Sequence, residues 1–265
     1  MNESFYQLLL LSLFVGSLWV TLTTIMAERF GSKIGGLIGG LPSTAIVAFF
    51  FIGLTQSTQI ASRATTAFPL AYSITGLFLV FFAVFSKRGF LLSLFGSLLT
   101  WFFLSALIIY LKINNFLASL LAYCIIFFIS FHILEKKLKI TSVKRIEIQY
   151  TPIQLLVRAA FSGIMIAFAV FMSKVGGPIF GGVFSAFPAV FISILVISYR
   201  SGGMPFSRSM TKPLMMTGML SVVVYAICVR YFYPRFGLIG GTIGAYFFAL
   251  LSAYLSYVLF QKRVN

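Results

Sequence analysis

Long apolar runs, separated by short polar or glycine-rich stretches, fill almost the whole chain. Each run is about as long as the ~20 residues that an α-helix needs to cross the hydrocarbon core of a bilayer. The runs do not alternate apolar and polar residues, as the strands of a membrane barrel would. Because backbone groups find no water partner in lipid, such runs are expected to be helices. The pattern predicts nine spans, at residues 5–28, 35–56, 62–86, 89–111, 115–135, 153–174, 178–199, 209–233 and 237–261.

The composition excludes a soluble protein. Of the 265 residues, 60% are hydrophobic and only 9% are charged, whereas soluble proteins carry about 25% charged residues. The net charge of +16 could indicate nucleic-acid binding, but the basic residues lie in short loops and no domain outside the membrane is available to hold a duplex. We therefore expect membrane lipids as partners and no nucleic acid.

The basic residues also predict an orientation. With nine spans, 15 of the 20 Lys and Arg residues fall on one side of the membrane. Cytoplasmic loops are enriched in Lys and Arg, so this side is predicted to be cytoplasmic, with the N-terminus outside and the C-terminus inside. The five basic residues on the outer side are Arg63, Lys112, Lys174, Arg230 and Arg235.

A short motif occurs twice and indicates an internal duplication. Residues 31–42 and 177–188 share the pattern G-x3-G-G-x4-[LF]-P at an offset of 146 residues. Further short matches follow downstream in the same order: Ser62-Arg63 with Ser207-Arg208, Pro69 with Pro213, Thr75-Gly76 with Thr217-Gly218, and Leu104-Ser105-Ala106 with Leu251-Ser252-Ala253.

We interpret these matches as two four-helix repeats, at residues 1–111 and 153–265, joined by a linker helix and a basic cytoplasmic loop at 112–152. Because five spans separate their starting points, the two repeats are predicted to point in opposite directions across the membrane. The predicted fold is therefore an all-α integral membrane protein of 4+1+4 helices. Inverted repeats are typical of transporters that bind substrate near the midplane, at the repeat interface.

The repeated glycine–proline segment is the main candidate site. Glycine weakens a helix and proline removes a backbone donor, so the second and seventh spans are predicted to unwind there. The freed backbone groups must face protein or a wet cavity, and each restarting helix offers a partly positive N-terminus to an anionic group. An equally weighted alternative is that the glycines only allow close helix packing. The candidate substrate-binding residues in this segment are Gly39, Gly40, Pro42, Ser43, Thr44, Gly181, Gly182, Ser185 and Pro188.

Arg158, inside the sixth span, is a further candidate, because a charge within the membrane is costly and often functional. The alternative is that its side chain extends to the interface, as arginines near helix ends often do. His132 has no Cys, His or carboxylate partner at metal-ligand spacing, so no metal or other cofactor is expected. The sequence also holds no Ser-His-acid set and no nucleotide-binding loop, so we expect no enzymatic activity.

The second half resembles a known family. The residues Gly181-Gly182-x4-Phe187-Pro188, Tyr199-Arg200-Ser201-Gly202 and Ser207-Arg208 resemble the GlpM family of small bacterial inner-membrane proteins of about four spans. The first half shares the Gly-Gly-x4-Leu-Pro part less closely. The resemblance implies a four-helix unit, here duplicated, in the bacterial inner membrane, and it implies no functional residue.

The predicted function is a permease or flippase-like transporter that moves a neutral or anionic small solute or lipid headgroup by alternating access at the repeat interface. The lack of buried carboxylates argues against coupling to Na⁺ or H⁺ through an acidic site. The alternatives are a non-transporting scaffold or lipid-binding assembly protein, and a channel. The sequence is compatible with a homo-oligomer. A transporter should have a hydrated cavity at Pro42 or Pro188, whereas a scaffold should be packed solid there.

Overall fold

The fold is that of a computed structural model, which describes residues 3–29, 41–140 and 151–264. All the secondary structure in these ranges is helical, and seven of the helices are long and apolar enough to cross a membrane. The prediction of an all-α, multi-span membrane protein is thereby confirmed for the described part of the chain. The count of nine crossings stays a prediction, since the second span, 35–56, begins outside the described residues.

Five helices form the first part of the chain. They are α1 (Glu3–Arg29), α2 (Ser43–Thr55), α3 (Thr58–Ala64), α4 (Phe68–Phe85) and α5 (Phe90–Tyr110). The predicted third span is divided between α3 and α4, and Pro69 stands in the first turn of α4, where its missing amide costs no hydrogen bond. After a 3-10 turn at Ser86–Arg88, Gly89 turns the chain into α5 with a φ of 102°, a conformation that favours glycine.

The remaining helices are α6 (Phe116–His132), α7 (Pro152–Gly176), α8 (Pro178–Ser185), α9 (Ala189–Ser209), α10 (Thr211–Pro213) and α11 (Met219–Val264). A π-helical segment extends α6 over Ile133–Lys137, and another joins α10 to α11 over Leu214–Gly218. The start of α7 has a capping box, in which Thr151 and Gln154 each accept a hydrogen bond from the other's backbone amide.

The long helix α11 is a hairpin of two arms that meet at Gly237, where φ is 70°. The hydroxyls of Tyr233 and Thr242 lie 2.8 Å apart, although nine residues of straight helix would separate them by about 14 Å. The rings of Phe232 and Phe248 likewise lie 5.8 Å apart, between centroids. The chain therefore reverses at Gly237, which is the predicted boundary between the eighth and ninth spans.

A similar reversal occurs in α9 at Gly203, where φ is 71°. The hydroxyl of Ser207 donates to the carbonyl oxygen of Leu195 over 2.8 Å, although twelve residues of straight helix would span about 18 Å. The end of α9 therefore folds back on its own beginning.

The helices α1 and α7 pack against each other in antiparallel orientation. The hydroxyl of Ser17 donates to the carbonyl oxygen of Ala159 over 3.0 Å, and a Cβ on Gly163 would overlap Ser17 and the carbonyl of Leu13. Further along α1, the ammonium of Lys174 on α7 lies 6.0 Å from the ring centroid of Phe5. Residue numbers thus fall along α1 as they rise along α7.

The centre of the molecule is formed by α2, α4, α9 and the first arm of α11. Their fully buried side chains include Phe49, Phe68, Phe78, Leu195 and Tyr225. The helices α5 and α6 instead expose large apolar side chains on one face, which is the pattern expected of helices that contact lipid. These exposed side chains include Leu99, Phe103, Leu121 and Phe128.

Polar contacts at the helix ends join residues that the charge pattern assigns to the same side. At the predicted cytoplasmic end, Lys212 and Glu135 form an ion pair at 3.6 Å, and Arg208 donates to the carbonyl oxygen of Leu138. At the predicted outer end, Gln56 donates from its amide to the hydroxyl of Ser173 over 3.0 Å, and Arg230 donates to Thr66. Which end faces the cytoplasm stays a prediction.

Candidate functional site

Pro42 and Pro188 adopt nearly the same backbone conformation. Their φ and ψ angles are −74° and 49° at Pro42, and −78° and 40° at Pro188. At each proline, the amide of the next residue donates to the carbonyl of the preceding residue, over 2.7 Å and 2.8 Å respectively. This is the pattern of an inverse γ-turn. A new helix begins directly after each turn. At Pro188 this helix follows α8, so the helical segment is interrupted there, whereas the residues before Leu41 lie outside the described range and the break in the second span stays a prediction.

The two breaks lie beside one small cavity. It is bounded by Thr44 and Ala48 of α2, by Ile166 and Ala169 of α7, and by Ser185 and Ala189, which flank the second break. Its volume is about 10 Å³, which is close to the minimum for a single water molecule. The wall includes two hydroxyl side chains: Ser185 belongs to the second copy of the repeated motif, and Thr44 follows the first copy by two residues.

Two polar groups close to the cavity, the hydroxyl of Ser185 and the carbonyl of Ala186, are paired in this conformation. Ser185 donates from its hydroxyl to the carbonyl oxygen of Gly181 over 2.7 Å, within α8. The carbonyl oxygen of Ala186, in the break before Pro188, accepts a hydrogen bond of 2.7 Å from the hydroxyl of Thr75 on α4. Trp101 on α5 in turn donates from its indole nitrogen to the Thr75 hydroxyl over 3.2 Å.

Thr75 and Trp101 are functional candidates that the sequence did not single out. Both are fully buried, and they stabilise the break from the opposite half of the chain. The only signal for Thr75 was its place in the match of Thr75-Gly76 with Thr217-Gly218. Trp101 lies in the predicted fourth span and carried no signal of its own.

The two glycines of α8 are explained by close packing. A Cβ on Gly181 would come within 2.5 Å of the Ser173 Cβ on α7, and a Cβ on Gly182 would overlap the Ala64 carbonyl on α3. Neither glycine lines the cavity. The geometry favours the packing alternative for both glycines, because each allows a neighbouring helix to approach α8 closely.

The first part of the chain matches a known protein family. Residues 9–116 match the model of a family described as a protein of unknown function, DUF3147. This part of the chain is a DUF3147 domain. The domain supplies Thr44, Thr75 and Trp101 to the break and its cavity, whereas Ser185 and Pro188 lie beyond the match. No curated protein and no solved structure matches the chain.

Arg158 lies outside the DUF3147 domain and is buried, with 7% of its surface exposed. It stands on α7 about two turns before Ile166, on the same face of the helix, but it does not line the cavity. Its role as a substrate-binding residue stays a prediction.

The other predicted site residues lie apart from the cavity or outside the described residues. Ser43 is buried next to Pro42, but it is not part of the cavity wall. Gly39 and Gly40 belong to the undescribed range 30–40. Within the ranges that the structure covers, no three His, Cys, Asp or Glu side chains come together as a metal site would require.

Proposed function

We propose that this protein is a membrane carrier of the permease or flippase type, built from two inverted four-helix repeats joined by a linker helix. Its substrate would be a neutral or anionic small solute or a lipid headgroup. The observation that carries the proposal is the convergence of two prolines with the same backbone conformation on one small cavity, whose mainly apolar wall includes the hydroxyl side chains of Thr44 and Ser185.

The packing of α1 against α7 supports the inverted repeat. At the offset of 146 residues, Ser17 corresponds to Gly163, and Leu13 corresponds to Ala159. Exchanging the two repeats therefore turns the contact between Ser17 and Ala159 into the contact between Gly163 and Leu13, and both contacts are present. A self-complementary contact of this kind is expected where a two-fold axis relates two equivalent surfaces.

The chemistry of the cavity suits a neutral or anionic group. The hydroxyl of Thr44 can donate or accept a hydrogen bond, and that of Ser185 could donate to a ligand once it leaves the carbonyl oxygen of Gly181. The helices α2 and α9 both begin at the breaks, so the positive ends of two helix dipoles lie close to the cavity.

Transport would require this conformation to open. A cavity of about 10 Å³ is too small for a solute, so the described conformation corresponds to a closed carrier. Alternating access would move one repeat against the other and widen the cavity toward each side in turn. The γ-turn at Pro188, which separates α8 from α9, would act as a hinge, and we expect the same of the γ-turn at Pro42.

The second candidate is a non-transporting scaffold or lipid-binding assembly protein. The small cavity and the close packing at Gly181 and Gly182 favour it, because a scaffold needs no space at the breaks. The two candidates differ in whether water ever reaches Thr44 and Ser185.

Thiol labelling tests this difference. Single cysteines at Thr44→Cys and Ser185→Cys would be made in a background in which Cys124 and Cys228 are replaced by Ala. Right-side-out and inside-out vesicles would then be treated with a membrane-impermeant thiol reagent. A carrier predicts labelling of at least one cavity position from at least one side, more slowly than at the helix ends.

Matched positions make the labelling result decisive. Lys87→Cys and Lys112→Cys, at the two ends of the molecule, report that the reagent reaches each side. Ser119→Cys, at a fully buried position away from the cavity, should stay unlabelled. If both end positions react while Thr44→Cys and Ser185→Cys never do, the carrier proposal is wrong and the scaffold is favoured.

If a cavity position is labelled, a second experiment narrows the substrate class. Lipids and metabolites that co-purify with the wild type would be identified and compared with those that co-purify with a Pro42→Ala, Pro188→Ala variant.

A further inference from the structure

A second and larger recess lies at one end of the molecule, away from the cavity at the breaks. This groove has a volume of about 360 Å³ and is lined by Asn114, Asn115, Phe116, Leu117, Arg230 and Tyr231. It lies at the predicted outer end, where the turn before α6 meets the first arm of α11. Since α6 runs from this groove to Glu135, the groove and the ion pair of Glu135 with Lys212 stand at opposite ends of that helix.

Arg230 is held in a fixed orientation in this groove. One terminal nitrogen of its guanidinium donates to the hydroxyl of Thr66 over 3.0 Å, and the guanidinium carbon lies 4.4 Å from the ring centroid of Phe116. Its backbone carbonyl also accepts a hydrogen bond of 2.8 Å from the hydroxyl of Ser62. A guanidinium has five N–H donors, and the bond to Thr66 uses one of them.

The charge of Arg230 has no acidic partner among the described residues. Among these residues, the ion pair joins Glu135 to Lys212, at the opposite end of α6 from the groove. The whole chain has four acidic residues against 20 Lys and Arg. An external anion is therefore the natural partner for a cation that is oriented but not neutralised by a carboxylate.

We propose that this groove binds a phosphate group at the membrane surface. A planar guanidinium recognises phosphate oxygens through paired hydrogen bonds. Asn115 uses its side-chain oxygen to cap α6, by accepting from the amide of Ala118, which leaves its NH₂ group free to donate. The exposed side chains of Leu117 and Tyr231 would contact the chain and headgroup region of a phospholipid.

The ligand chemistry is thus a phosphate, supplied either by a phospholipid headgroup or by free phosphate. The site is independent of the carrier proposal, because it shares no residue with the cavity at the breaks. It would exist equally in a scaffold, so its test and the thiol-labelling test can fail separately.

The test measures binding to the purified full-length protein in detergent by native mass spectrometry. The probes are a short-chain phosphatidylglycerol, diacylglycerol with the same chains, and inorganic phosphate. Arg230→Gln should weaken phosphatidylglycerol binding about tenfold or more, because it removes a charge-assisted contact. Arg235→Gln, the matched loss of charge at the same predicted end but outside the groove, should change binding less than about twofold.

A second variant covers the case in which Arg230→Gln does not fold. Asn114→Asp adds a negative charge to an exposed position in the groove and should weaken phosphate binding by repulsion. Gln59→Glu, which adds the same charge at an exposed position outside the groove, is its control. If inorganic phosphate alone binds with the same dependence on Arg230, the proposal stands with free phosphate as the ligand. Unchanged affinity in Arg230→Gln and Asn114→Asp, or equal binding of diacylglycerol, would overturn it.

Discussion

The hydroxyl of Thr75 donates a hydrogen bond of 2.7 Å to the carbonyl oxygen of Ala186, so a helix of one half of the chain closes the break in the other half. The helix hydrogen-bond pattern stops at this break, and a buried carbonyl in a lipid environment needs another donor. Trp101 holds the Thr75 hydroxyl from the other side. The break before Pro188 is therefore an integral part of the core, in which Thr75 supplies the missing hydrogen-bond donor.

We predict that Thr75→Val destabilises the protein. The substitution keeps the volume of the side chain but leaves both the Ala186 carbonyl and the Trp101 indole N–H without their partner. The free energy of unfolding should fall by about 1–2 kcal/mol. This is within the range found for buried hydrogen bonds of soluble proteins and at the upper end of the range found in membrane proteins. Unfolding by heat or denaturant in detergent would measure it.

Thr75→Ser is the matched control for this prediction. It keeps the hydroxyl and loses only a methyl group, so it should retain most of the stability that Thr75→Val loses. Equal stability of Thr75→Val and the wild type would mean that the hydrogen bond across the break contributes nothing.

Gly163 allows α7 to approach α1, and we predict that Gly163→Ala destabilises this contact. Its Cβ would overlap Ser17 and the backbone of Leu13, and overpacking of this kind costs about 1–3 kcal/mol. The same change at Gly240 is the control, because the nearest atom to its Cβ would be 3.4 Å away. Since alanine is the better helix former by up to about 1 kcal/mol, Gly240→Ala should be neutral or stabilising. If both substitutions have the same effect on the melting temperature, Gly163 is not required for the close approach of α7 to α1.

Much of the fold could be predicted from local patterns, because the membrane imposes strong local rules. Long apolar runs must be helices in lipid, and the prolines and glycines between them mark where helices begin. The boundary at 233–237 is an example: the hairpin in α11 turns at Gly237, three residues after Pro234. These features depend on the local backbone, so the sequence contains the information directly.

The roles of individual site residues depend on neighbours that are distant in sequence, and these were harder to predict. A glycine near a proline can unwind a helix or allow close packing, and the local sequence is the same in both cases. At Gly182 the deciding neighbour is Ala64, which lies in another half of the chain. The pairing of Thr75 and Trp101 with the break at Ala186 was missed for the same reason.

The topology of the second half can be tested with reporter fusions. Because α11 reverses at Gly237, a fusion after Phe236 and a fusion after Val264 should report opposite sides of the membrane. The charge pattern predicts the outer side for the first and the cytoplasm for the second. Alkaline phosphatase should be active only after Phe236, and green fluorescent protein should fluoresce only after Val264. The same side for both fusions would contradict the hairpin across the membrane, and a reversed pair would contradict the predicted orientation.

The ion pair between Glu135 and Lys212 should contribute little to stability. Its charged atoms are 3.6 Å apart, and both side chains are partly exposed to solvent. Pairs of this kind are screened by water and salt and contribute about 0–1 kcal/mol. We therefore expect Glu135→Gln to lower the free energy of unfolding by less than about 1 kcal/mol. A larger loss in the denaturation curve would show that the pair has a role in joining α6 to α10 that its exposure does not indicate.

The hydroxyls that join the two arms of the α11 hairpin have a defined direction of hydrogen bonding. Thr242 donates its single hydroxyl hydrogen to the carbonyl of Leu238 over 2.7 Å, so Tyr233 must be the donor in its 2.8 Å contact with Thr242. The hydroxyl of Tyr225 lies 3.5 Å from that of Tyr233 and can donate to it. The two arms of the hairpin are thus joined by a bond from Tyr233 to Thr242.

A double-mutant cycle tests this bond. Thr242→Val should lower the free energy of unfolding by about 1 kcal/mol, because it leaves the buried Tyr233 hydroxyl with only the longer 3.5 Å contact to Tyr225. Once Tyr233 is replaced by Phe, that penalty disappears, so the double variant should be more stable than the sum of the single losses by about 0.5 kcal/mol or more. Tyr254→Phe, at an exposed position on the second arm, should combine additively with Thr242→Val. Additive losses for Tyr233→Phe and Thr242→Val would mean that the two hydroxyls do not interact, and the hairpin would then depend on the apolar contact of Phe232 with Phe248.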